Sequence, residues 1–167
     1  MHLAGVIEEF VEEVGWKDEV ERIEEEGTSR LAVRLTVSNQ SYRLFIEGYE
    51  ARQWVALFLY PPFGVIDGKF LDACMLFNFI NDSYSYTGRI TVHDDGTIRY
   101  RQIVDVGNVV PTAGMIRDML RCAVNLFETN ADSITSVALT GKSYESIRAE
   151  IERKALMRGA REEDSGV

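Results

Sequence analysis

Between Arg30 and Glu47 the chain repeats with a period of two, and this narrows the fold more than any other feature. Leu31, Val33, Leu35 and Val37 alternate with Ala32, Arg34, Thr36 and Ser38, the pattern of a half-buried strand. After a turn at Asn39-Gln40, Tyr42, Leu44 and Ile46 alternate with Arg43, Phe45 and Glu47. A second turn near Glu50-Ala51 leads to residues 53–60, QWVALFLY, apolar on both faces. Such a strand is expected to lie centrally or to be covered on both sides. Pro61-Pro62 ends it, because proline cannot donate to a ladder. Links this short cannot carry a crossover, so the three strands form an antiparallel meander.

The stretch FLDACMLFNFIN, Phe70 to Asn81, is read as a helix with Asp67 as its N-cap. Only Asp72, Asn78 and Asn81 interrupt its apolar surface. A helix apolar nearly all round must be buried on more than one side. One side can lie on the sheet, and a second layer or a second chain is expected on the other. The candidate contact residues are Leu71, Met75 and Phe79, or the opposite set Phe70, Cys74 and Phe77. Asn78 is left open between an interface and a helix-end role, and Asn81 is read as a helix-end cap.

Around this helix the remaining elements follow. Leu3, Val6, Ile7, Phe10, Val11 and Val14 have helical spacing, and Gly15 ends that helix. Residues 16–27 fit either a short helix or a strand. Gly88 to His93 alternates again, and Asp95-Gly96 is a hairpin turn leading back through Ile98 and Tyr100 to about Val106. Pro111-Thr112 opens a strongly amphipathic helix to Phe127. A last helix runs from near Ser143 to Gly159, followed by a tail expected to be disordered, so that residues 1–158 form one domain and 159–167 the tail. The order is α-βββ-α-ββ-α-α. Segregated helices and antiparallel strands make an α+β fold with a five-stranded sheet.

Charge limits the partners. Residues 1–27 hold ten acids against Lys17 and Arg22, and the whole chain carries −9. A chain of this kind repels nucleic acid and anionic membrane. No apolar run reaches the roughly 18 residues of a membrane span. The first residues carry acids rather than the basic-then-apolar layout of a secretory signal, and the two cysteines, Cys74 and Cys122, sit among apolar residues. Both features point to a reduced, cytoplasmic protein.

Catalytic motifs are absent. Gly141-Lys142-Ser143 lacks the glycine a phosphate loop needs five positions earlier, where Ser136 stands. His2 and His93 are the only histidines and have no companions in sequence suited to acid–base work or metal binding. Arg34, Arg43, Arg89, Arg99 and Arg101 all fall on strand positions opposite the main apolar residues. They keep a sheet face soluble, or form a basic stripe that meets an acidic segment of this chain or another.

The helix ending FNFIN (Phe77 to Asn81), the following strand with Asp94-Asp95-Gly96, and a strand leading into a long amphipathic helix resemble the bacterial YbjN family of sensory transduction regulators. The element order as a whole resembles the type III secretion chaperone fold. That resemblance implies a homodimer without cofactor, metal or catalytic residues. It also implies a regulatory or chaperone-like role in which apolar patches hold an extended protein segment. The alternative is a regulatory domain that takes a small ligand in a pocket between sheet and helices.

Overall fold

The computed structural model describes residues 2–83 and 85–164, with side chains described to residue 157. Helix α1 (Leu3–Glu13) turns at Gly15, whose φ is +70°, and Trp16 donates back to the Val11 carbonyl at 3.1 Å. Six strands follow, interrupted by one helix: β1 (Glu21–Ile23), β2 (Thr28–Val37), β3 (Gln40–Tyr49), β4 (Trp54–Tyr60), α2 (Phe70–Asp82), β5 (Arg89–Val92) and β6 (Ile98–Asp105). Helices α3 (Ala113–Thr129), α4 (Ala131–Leu139) and α5 (Tyr144–Asp164) complete the chain. The sheet is antiparallel throughout, in the order β1-β2-β3-β4-β6-β5.

The meander expected over residues 30–60 is present as β2–β3–β4. The sheet has six strands rather than five, because part of the ambiguous 16–27 segment pairs with the start of β2 through Glu21↔Arg30. That strand is three residues long and shows no alternation. Helix α4 is a second addition. Its buried stripe is only Ile134, Val137 and Ala138, and a single residue, Asn130, separates it from α3. Helix α5 continues through Gly159 to Asp164, so the stop expected at Gly159 does not occur. The rest of the expected tail, 165–167, lies outside the described residues.

Helices cover one face of the sheet. α1 packs on β2, β3 and α3, while α3 also meets β2, β4 and β6. α2 lies along β5 and is backed by α4 and α5. Leu31, Leu44, Ile46, Leu57, Leu59 and Tyr100 are fully buried beneath them. Gly48 lets α1 sit this close: a Cβ there would lie 2.7 Å from Ser29 Oγ and 2.8 Å from Leu3 Cβ. Thr112 caps α3, its hydroxyl accepting from the Met115 N–H at 3.2 Å. β4 is central, as its sequence suggested, yet its outer face carries no helix among the described residues.

Candidate protein-binding surfaces

Helix α2 buries one arc, Ala73, Leu76, Phe77 and Ile80, in the chain's own core. Phe77 is 2% exposed, so it belongs to the core and not to an interface; the set Phe70, Cys74 and Phe77 is not presented together. The opposite arc faces solvent: Leu71 is 74% exposed, Met75 is 47% exposed, and Asn78 lies one turn further on. Phe70 is exposed at the helix start, and Cys74 is half-buried on the flank. Phe79 is half-buried on the other flank, its ring 5.6 Å from the Arg148 guanidinium of α5. Ile66, held beside α4 by its N–H to the Ala138 carbonyl, extends the exposed apolar area.

The polar residues of α2 orient it. Asp72 accepts from Lys69 and from the Tyr144 N–H at 2.8 Å, so it caps α5, while Lys69 also donates to the Lys142 carbonyl at 2.6 Å. The Lys69 hydrogen bond, with the Tyr144 N–H behind it, holds the Asp72 carboxyl below its ordinary range. Asn81 is not a left-handed terminus. Its amide donates to the Ile90 carbonyl at 2.9 Å and accepts the Ile90 N–H at 3.0 Å, standing in for a missing strand beside β5. Asp67 does not cap α2, which starts after Lys69 without a side-chain cap.

The outer face of the sheet brings the five arginines together with aromatic rings. One cross-strand row runs Ala32, Phe45, Phe58, Arg101, Arg89, and the next runs Arg34, Arg43, Tyr60, with Arg99 following on β6. Arg43 lies 5.4 Å from the Tyr60 ring, and Arg99 lies 5.4 Å from the Phe58 ring. Phe45 meets Tyr60 edge to face, with ring centroids 5.8 Å apart. Arg34, Arg43, Arg89 and Arg101 are exposed, and Arg99 is half-buried. In the third row Arg30 donates to Glu47 at 2.7 Å, and the Tyr49 hydroxyl also donates to Glu47. Burial, followed by that Glu47 contact, pushes Tyr49 up to about 12. The sequence pattern singled out the arginines. It did not single out Phe45, Phe58 and Tyr60, which alternate with the core residues and read as a second buried face.

A groove of about 1390 Å³ runs along α3 beside the end of β6, lined by Thr87, Gln102, Val104, Met115 and Cys122 among others. Cys74 and Cys122 are both free thiols. Burial raises the Cys122 thiol, but hydrogen bonds from Thr87, Tyr100 and the backbone outweigh it and bring it below the ordinary value. Among the described residues, no three His, Cys, Asp or Glu side chains gather as a metal site, and no helix is long and apolar enough to cross a membrane.

Helices on one face of an antiparallel sheet, with α2 inserted between strands four and five, make an α+β fold of the kind seen in complexes of type III secretion chaperones. The fold is shared with the HopA1–SchA chaperone–effector complex, at TM-score 0.51 and 9% identity over 78% of this chain and 91% of that one. It is also similar to the ExsC–ExsE complex, at TM-score 0.52 and 14% identity over 77% of this chain and 96% of the other. YbjN from E. coli matches at TM-score 0.53 and 12% identity, over 77% and 91% respectively. Residues 4–136 match the YbjN family model, "Putative bacterial sensory transduction regulator", and the chain belongs to that family. The matched region ends within α4, so α5 lies beyond it. No curated protein matches the chain.

Proposed function

We propose that this protein acts by protein–protein contact as a cytoplasmic homodimer, without cofactor or catalytic chemistry, and that it holds a segment of a client or regulated protein. The observation that carries the pairing is the solvent arc of α2, where Leu71 and Met75 stand exposed beside Phe70 and Ile66. Removing a leucine or methionine side chain from water is worth about 1.5–3 kcal/mol. A two-fold interface uses the same patch on both copies, so each side chain counts twice. The client-holding role is supported by the shared fold: HopA1 and SchA are seen together as a chaperone–effector complex, and ExsC is seen with ExsE.

Leu71→Glu and Met75→Glu test the pairing without touching the core, since both side chains already face solvent. Light scattering is expected to give a dimer for the parent protein and a monomer for the double variant, with an unchanged circular dichroism spectrum. A parent monomer, or a double variant that remains a dimer, overturns the reading. The alternative, a regulatory domain for a small ligand, draws support from the groove along α3 beside the sheet. Metabolites that raise the melting temperature of the parent and not of a Val104→Trp variant would favour it.

A further inference from the structure

We infer that the outer face of the sheet is a docking surface for a short acidic peptide segment of another protein. This rests on the reading of the protein as one that works by protein–protein contact, and it names the chemistry of the segment held.

Charge is the first observation. Arg34 stands directly opposite Arg43, and Arg89 directly opposite Arg101. Like charges facing each other across a strand pair are unfavourable. Here two such pairs share one face of a chain in which acids outnumber Lys and Arg by 27 to 18. No carboxylate stands in either row that holds these arginines. Among the described residues none of the five makes an ion pair, whereas Arg30, one row away, is matched by Glu47. The Nε of Arg99 is buried and has no hydrogen-bond partner. A guanidinium fork is suited to bidentate capture of a carboxylate, and these five have none among the described residues.

Shape is the second. The two arginine pairs are separated by β4, with Phe45, Phe58 and Tyr60 between them. Neighbouring strands lie about 4.8 Å apart and the two pairs stand in adjacent rows, two residues apart along the strands, so their centres are about 16 Å apart. An extended peptide covers that distance in about five residues. The surface therefore fits two acidic positions about five residues apart, joined by apolar residues that lie over the rings. A nucleic-acid strand fits poorly. Glu47 stands in the row next to the arginines and Asp105 in the row beyond that, and the chain as a whole is acidic, so a phosphate at every nucleotide meets repulsion on leaving the patch.

Calorimetric titration with the capped peptide Glu-Glu-Leu-Phe-Leu-Glu-Glu tests the inference. Binding to the full-length protein is expected, weakening with salt. It should fall about tenfold or more in Arg43→Glu and in Arg101→Glu, each the loss of one ion pair or more. Arg121→Glu, on the outside of α3, serves as the control and should bind as the parent does. The milder Arg43→Gln and Arg101→Gln report the same contacts without reversing the charge. Light scattering on each variant keeps this test separate from the pairing through α2. Failure of the parent to bind the peptide while remaining a dimer overturns the inference and leaves the proposed function standing. Equal binding of the peptide with all four Glu replaced by Gln overturns it. Tighter binding of an oligothymidylate of similar length does so as well, by assigning the arginines to phosphates.

Discussion

The inner face of the sheet carries Leu31, Leu44, Ile46, Leu57 and Leu59 sealed beneath α1 and α3, whereas the outer face of the same strands carries Phe45, Phe58 and Tyr60 with arginines among them. Aliphatic side chains gain from close packing against helices and leave no room for water. Aromatic rings shielded by guanidinium groups tolerate water on one side, because arginine lays its stem along apolar surface while its charge stays hydrated. The difference teaches how a two-layer protein keeps a greasy sheet face without a third layer. The inner face makes the fold, and the outer face is kept presentable and accessible.

The largest test of that contrast places one truncation on each face of β4. Leu57→Ala opens a cavity in the sealed layer and is expected to cost about 2–5 kcal/mol. Phe58→Ala, on the next residue, removes a larger side chain from a half-wet surface and is expected to cost about 1 kcal/mol. Urea unfolding midpoints measure both. Equal losses would mean that the outer face is packed as a core is, and the contrast between the faces would fail.

A smaller effect is expected where the inner layer leaves no slack. A Cβ on Gly88 would stand 2.2 Å from the ring carbon and hydroxyl of Tyr100, which is fully buried. Gly88→Ala must move that ring or the start of β5, at about 1–3 kcal/mol. Gly141→Ala, whose Cβ would meet nothing within 4 Å, is the matched control on the surface. A thermal melt that separates the two by several degrees sharpens the picture of a rigid inner layer. Indistinguishable melts would show a layer loose enough to absorb a methyl group.

Much of this organisation was legible in the sequence, and the reasons for the rest are physical. Alternation in residues 30–47, followed by the doubly apolar run of 53–60 after a short link, carries the meander directly, because these patterns are local properties of each strand. Glu21 to Ile23 carries no such signal, since a three-residue edge strand in which only Ile23 is half-buried is too short to show a period. For α2 the sequence shows how much surface is apolar but not which arc turns inward. That choice depends on Asp72 capping a helix 72 positions away and on Asn81 pairing with Ile90, neither of which is a local pattern. The arginines were readable as one face because they alternate with core residues. Phe45 and Phe58 share that alternation, and only the absence of a covering helix distinguishes them from core.

The finest test compares two tyrosines, one on each face. Tyr42 lies inside, and burial pushes its phenol up to about 12; Tyr49 lies outside and also reaches about 12, from burial and then from its bond to Glu47. An unfolded tyrosine titrates near 10. Both groups hold their protons more tightly when folded, so the stabilisation they give is complete below about pH 10. It is lost as pH rises toward about 12, an effect on the order of 1 kcal/mol apiece once solvent screening is allowed for. Either Tyr→Phe variant should flatten the fall of melting temperature in that window. At pH 8 the two should part. Tyr42→Phe removes a hydroxyl with no hydrogen bond to the rest of the described chain and is expected to be nearly neutral, while Tyr49→Phe deprives the buried Glu47 of a donor and should lower the melting temperature. If the two variants melt alike at pH 8, Arg30 alone satisfies Glu47, and the polar pairing that distinguishes the outer face contributes less than its geometry suggests.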